Sequence, residues 1–60
     1  MHERVLIKRY ARGRLYNTET GAYVSLADLA DILVNGRRII ARDAKTGEDI
    51  TSEILDKLHQ

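Results

Sequence analysis

Apolar and polar residues change their rhythm several times along this chain. Val5 to Tyr10 is a β-favouring run, and Ala11-Arg12-Gly13 can turn it back into a second extended run from Arg14 to Asn17. Further on, Leu26, Leu29, Ala30 and Leu33 recur at i, i+3, i+4 and i+7, the spacing of one helical face. Asp28, Asp31 and Asn35 lie mostly off that face, and Gly36 is placed to end the helix in the left-handed conformation. A second helical face follows in Ile54, Leu55 and Leu58, with Glu53 and Lys57 spaced to pair at i, i+4.

A shift of twenty-six positions lays the chain partly over itself. Asn17-Thr18-Glu19-Thr20-Gly21 falls on Asp43-Ala44-Lys45-Thr46-Gly47, Val24-Ser25 on Ile50-Thr51, Leu29 on Leu55 and Ile32 on Leu58. In each copy Asn or Asp can open a turn by accepting from the backbone two residues on, and glycine supplies a positive φ. Ser25 or Thr51 then stands where a helix N-cap belongs, with Asp28 or Glu53 in the first turn. The pattern therefore predicts an α+β domain: a small antiparallel β meander and a hairpin with two short helices, arranged as two hairpin-helix units. Its expected core is Val5, Ile7, Leu15, Tyr23, Val24, Leu26, Leu29, Leu33, Ile39, Ile50, Ile54, Leu55 and Leu58.

Length narrows the picture. Sixty residues are read as a single domain, 1–60, and a chain this short buries only about 60% of the surface its unfolded form exposes. There is no cysteine, and the two histidines, His2 and His59, stand near opposite ends, so neither a disulfide nor a structural metal is expected. Support is expected from self-association as a homo-oligomer, or from further sequence. No apolar run approaches the roughly 18 residues of a membrane span, and the N-terminus lacks a signal-peptide core. A cytoplasmic protein without membrane contact is the expectation.

Charge is uneven. Arg4, Lys8, Arg9, Arg12 and Arg14 face only Glu3 through Tyr16, whereas five later cations are outnumbered by eight carboxylates. A cationic arm on a mildly acidic body points to an anionic partner.

Catalysis would need converging groups, and none converge here. The hydroxyls sit at turns and caps, the carboxylates are scattered, and the glycines at 13, 21, 36 and 47 are isolated, so no phosphate loop forms. No catalytic residue, metal ligand or cofactor is expected, and the chain is not read as an enzyme. The stretch from Lys8 to Tyr16 differs. It packs four cations and two tyrosines around a predicted turn, suited to releasing counterions from a phosphate backbone or forking onto base edges. On composition alone, a merely solvated cationic face reads equally well.

The segments IKRYARGRLYNTETGAYVSLADLADIL and ARDAKTGEDIT resemble the N-terminal DNA-binding domain of polyhydroxyalkanoate (PHA, PHB) accumulation regulators. The resemblance runs from about Val5 to Leu58 without gaps, and Lys8, Arg9, Tyr10, Arg14, Leu15, Tyr16, Thr18, Tyr23 and Val24 match the family pattern. This chain has Arg12-Gly13 where the family has Asn-Arg, Asn17 for Asp, Gly21 for Ser and Ser25 for Thr. The resemblance implies a cytoplasmic repressor that binds promoter duplex DNA. Its oligomerisation, and a PHA granule or phasin-related context, would come through regions outside this domain. The basic hairpin is the candidate interface: Lys8, Arg9, Arg12 and Arg14, with Arg4 and Tyr10 at its margin. Two other readings stay open: a protein-interaction or dimerisation module using exposed hairpin edges, and a regulatory module holding an anionic ligand.

Overall fold

The computed structural model describes residues 4–59; His2 and Glu3, which entered the metal and charge arguments, lie outside the described residues. The chain forms β1 (Arg4–Arg9), a tight turn over Ala11–Gly13, β2 (Leu15–Asn17), β3 (Ala22–Val24), α1 (Leu26–Val34), β4 (Arg38–Asp43) and α2 (Thr51–Leu58). The α+β class and the meander β1-β2-β3 agree with the sequence pattern. The four strands make one sheet in the order β3-β2-β1-β4. β1 is antiparallel to β2 but parallel to β4 over its whole length, from Arg4 opposite Arg38 to Arg9 opposite Asp43. A parallel partner needs a crossover, and α1 supplies it.

The two units share one geometry. Asn17 Oδ1 accepts from the N–H groups of Glu19 and Thr20, and Asp43 Oδ1 accepts from Lys45 and Thr46. Both turns close with a glycine N–H donating to the residue that opened them, Gly21 to Asn17 and Gly47 to Asp43, at φ of 74° and 77°. The first hairpin continues as three paired residues, whereas the second shrinks to one bridge, Arg42 opposite Asp49, followed by the Ile50 N–H bond to Ala41.

Helix α1 starts with a full capping box: the Ser25 hydroxyl accepts from the Asp28 N–H, and the Asp28 carboxylate accepts from the Ser25 N–H. It ends as expected at Gly36, whose φ of 85° lets its N–H reach Leu33 while Arg37 N–H reaches Ile32. Helix α2 departs from the expected start. Its N-cap is Ile50, and Thr51 lies inside the helix. The Thr51 hydroxyl instead accepts from the Ala41 N–H at 2.9 Å, tying α2 to β4, and Asp49 takes over the Thr51 N–H. Nor does Glu53 pair with Lys57: its carboxylate is engaged by Arg9, which reaches it from β1 on the helix side of the sheet.

Alternate strand residues point to opposite faces. Val5, Ile7, Leu15, Ile39 and Ala41 form one face and are buried against Leu29, Ile50 and Ile54, with Val24, Ile32, Leu33, Leu55 and Leu58 packed around them. Two residues expected in the core lie outside it, Tyr23 at 51% and Leu26 at 39% exposure. Tyr23 cannot share a face with its neighbour Val24, and the stripe α1 buries is Leu29, Ile32 and Leu33. Ala41 and the buried Asn17 belong to the interior instead.

Candidate nucleic-acid interface

Both helices pack on one face of the sheet, and among the described residues no helix covers the other. By strand parity the uncovered face carries Arg4, Leu6 and Lys8 from β1, Tyr16 from β2, Tyr23 from β3, and Arg38, Ile40 and Arg42 from β4. Tyr10, one step past β1, joins it through ring contacts. The Tyr10, Tyr16 and Tyr23 rings meet edge to face with centroids 5.2–6.3 Å apart. Arg14 lays its guanidinium over the Tyr23 ring, 4.2 Å from the centroid. Each edge-to-face pair adds about 0.5–1.5 kcal/mol beyond burial, so the array stiffens the hairpin that carries the cations.

The hairpin tip is a turn with two consecutive positive φ values, 64° at Arg12 and 72° at Gly13, the geometry whose twist matches paired strands. Tyr10 N–H donates to Arg14 at 2.7 Å below it. Glycine takes such a φ freely, whereas an arginine there costs about 1–2 kcal/mol. The departure from the family pattern thus places a relaxed residue at the second tip position and a strained, exposed cation at the first.

The sequence-predicted residues do not all gather. Arg4, Lys8, Tyr10 and Arg14 share the uncovered face, and Arg12 stands at the tip. Arg9 does not join them. In β1 it has the parity of Val5 and Ile7, so it turns to the helix side, where it bonds Asp43 at 3.2 Å and also the Glu53 carboxylate. Those two acceptors hold its guanidinium firmly protonated, Glu53 contributing most. Sequence reasoning missed Tyr16, Tyr23, Arg38 and Arg42 as members of the uncovered face. The alternation Arg38-Ile39-Ile40-Ala41-Arg42 held the signal for β4, but nothing in it announced that β4 lies beside β1.

Several carboxylates are occupied elsewhere. Glu19 takes both arms of the Arg37 guanidinium at 2.7 and 2.8 Å. Asp43 is held below the usual carboxylate range, first by the N–H groups of Thr46 and Lys45 and then by Arg9. Asp49, the bridge partner of Arg42, is likewise held low, mainly by its hydrogen bonds with Thr51 and in part by Arg42. A cleft between the two turns is lined by Arg9, Tyr10, Ala11, Arg12, Gly13, Asp43, Ala44 and Lys45, and Asp43 within it works against a small anion. Among the described residues, no three His, Asp or Glu side chains gather as a metal set, and no helix is long and apolar enough to cross a membrane.

Residues 6–59 match the family described as the PHB/PHA accumulation regulator DNA-binding domain. The chain is 38% identical over 55 residues to an uncharacterized protein of Allochromatium vinosum, covering 92% of this chain and 36% of that one. It is 36% identical over 50 residues to a protein of Thiocystis violacea described as an uncharacterized protein in the phbA 5′ region, covering 83% of this chain and 36% of the relative. The chain thus spans about a third of the length of these relatives. No solved structure matches it.

Proposed function

Because the chain belongs to the PHB/PHA accumulation regulator DNA-binding domain family, a family of DNA-binding regulatory domains, we propose that it holds promoter duplex DNA on its N-terminal hairpin as part of a repressor. The observation that carries this reading is the uncovered face itself. Lys8 and Arg14 stand among three tyrosines on a rigid hairpin, Arg4 begins the same strand, and Arg12 projects from a strained tip. Lys8 is the phosphate contact, a compact point charge; Arg12 and Arg14 reach base edges with their forked donors. Arg9 serves the fold instead, tying β1 to β4 through Asp43 and to α2 through Glu53.

The relative named for the phbA 5′ region supports polymer-storage genes as the regulated class. Homo-oligomerisation belongs to the same reading, since a domain of this size presenting a few cations gains reach on duplex DNA when doubled. Sensing of a PHA granule is assigned to regions outside this chain.

Fluorescence anisotropy against promoter and scrambled duplexes at several salt concentrations tests it. Each phosphate contact contributes about −0.9 to the slope of log K against log salt, so Lys8 with Arg4 beside it gives roughly −2 per subunit. Lys8→Ala weakens both duplexes alike. The reading fails if no duplex binds at low salt.

A further inference from the structure

The parallel pairing of β1 with β4 brings together cations that lie more than thirty positions apart in sequence. Arg4 stands opposite Arg38, and Lys8 opposite Arg42. Within each rung the strands are about 4.8 Å apart. Each rung therefore sets two like-charged side chains on neighbouring strands of one face, at a backbone spacing inside the Debye length of about 8 Å at physiological salt. Like charges directly opposite one another destabilise a sheet. Between the rungs lie Leu6 and Ile40, paired in the same register and each half-buried on a face that no helix covers.

One counter-charge stands nearby: Asp49, the bridge partner of Arg42, accepts from the Thr51 N–H at 2.9 Å and remains an anion that feels the Arg42 charge. Arg42 also donates to the Gly47 carbonyl at 3.0 Å, which fixes the side chain without neutralising it. The fold therefore holds four cations in two pairs, framing an apolar strip, with Asp49 offsetting part of the charge at the Arg42 corner, and an external polyanion would relieve the repulsion that remains. Four residues of β1 separate the rungs by about 13 Å, comparable with the roughly 12 Å width of the B-DNA major groove.

We propose that the DNA contact extends across this helix-free face from the hairpin onto β4, so that the Arg4–Arg38 and Lys8–Arg42 rungs each grip the phosphate backbone of a duplex whose bases are read at the hairpin tip. The proposal rests on the duplex-binding reading and extends it to two residues of the acidic part of the chain, Arg38 and Arg42. Leu6 and Ile40 form the dry floor between the rungs. Sequence preference stays with Arg12 and Arg14, because phosphate contacts position a protein without reading bases.

The test is a salt titration of the full chain on a short mixed-sequence duplex, comparing wild type, Arg38→Gln/Arg42→Gln, Arg38→Lys/Arg42→Lys and the α2 control Lys57→Gln. Two lost phosphate contacts make the slope of log K against log salt shallower by about 1.8, so the advantage of wild type over the glutamine variant shrinks about twelvefold between about 50 and 200 mM salt. The lysine variant and Lys57→Gln keep the wild-type slope. Circular dichroism checks that each variant folds, and single Arg38→Gln, expected to shift the slope by about 0.9, serves if the double variant does not. An unchanged slope in the glutamine variant, with a wild type that binds duplex, overturns the extension onto β4 and leaves the hairpin reading standing. A wild type without salt-dependent duplex binding overturns both. If the glutamine variant loses only self-association in sedimentation, with its slope intact, the face is a contact between copies and the proposal is wrong.

Discussion

The two faces of the sheet are made by neighbouring residues of the same strands, yet they serve opposite ends. On the helix side even the polar members are satisfied: Asn17 closes a turn, and Arg9 meets Asp43 and Glu53. On the uncovered side, apolar residues stay half-wet, tyrosines pack edge to face, and cations stand beside cations. The first face supplies stability. The second gives some of it up and keeps its charges available. In β1 a single step along the strand separates the two roles, with Lys8 on one side and Arg9 on the other.

That division can be broken most severely from the buried side. Ile7, with no exposed surface, should cost about 2–5 kcal/mol when cut to Ala, against a total stability of about 0.05–0.15 kcal/mol per residue. Urea titration should therefore find Ile7→Ala largely unfolded, whereas Leu6→Ala, one residue away, should leave the midpoint nearly where it was. Equal losses would erase the distinction between the faces.

Next in size is the effect on binding. Arg14→Ala should weaken the preferred duplex by about 1–3 kcal/mol and blur its preference over scrambled sequence. Arg9→Ala should do the reverse: a lower melting temperature, with duplex affinity of the folded protein unchanged. Affinity lost on removing Arg9 would return it to the interface.

At the tip, Arg12→Asn places a residue that tolerates a φ of 64° where arginine is strained. A gain of about 1 kcal/mol in stability together with weaker DNA binding is expected, read by paired melting and anisotropy. A gain in both would show that the tip cation contributes nothing to binding.

The smallest effect compares the two turns by pH. Asn17 does not titrate, while Asp43 is depressed below its ordinary value by the N–H groups of Thr46 and Lys45 and by Arg9. A depressed carboxylate contributes stability that is complete above its unfolded pKa, about 3.9, and is lost as pH falls through the folded value below it. The urea midpoint should fall on acidification through that range. Asp43→Asn, which copies the first turn into the second, should reduce that acid limb without abolishing it, since Asp49 is held low as well.

Much of this was legible in the chain. The Asx-Gly turns, the Ser25 cap, the Gly36 stop and the meander follow from local chemistry that acts over three to five residues. Strand parity was legible too, and it assigns Arg9 to the side of Val5 and Ile7 and Tyr23 away from Val24. The cluster of charges between Lys8 and Tyr16 concealed that rule. What the sequence could not show was long-range: β4 lying parallel beside β1, and Thr51 bonding back to Ala41 instead of capping its own helix. Neither Arg38 nor Arg42 looks like part of a cationic site until that pairing exists.

The same pairing sets an order of events during folding. The meander β1-β2-β3 joins residues that are close in sequence and can close quickly, but β1 meets β4 only across a separation of thirty-four residues, and such distant contacts form slowly. On a chain emerging from the ribosome, β1 is finished long before its second neighbour is synthesised. The hairpin tip can therefore take shape early, whereas the paired rungs arise only when the last strand docks and the crossover helix has packed. If the proposed grip needs both, it is withheld from incomplete chains, and competence for DNA waits on the slowest long-range contact of the fold.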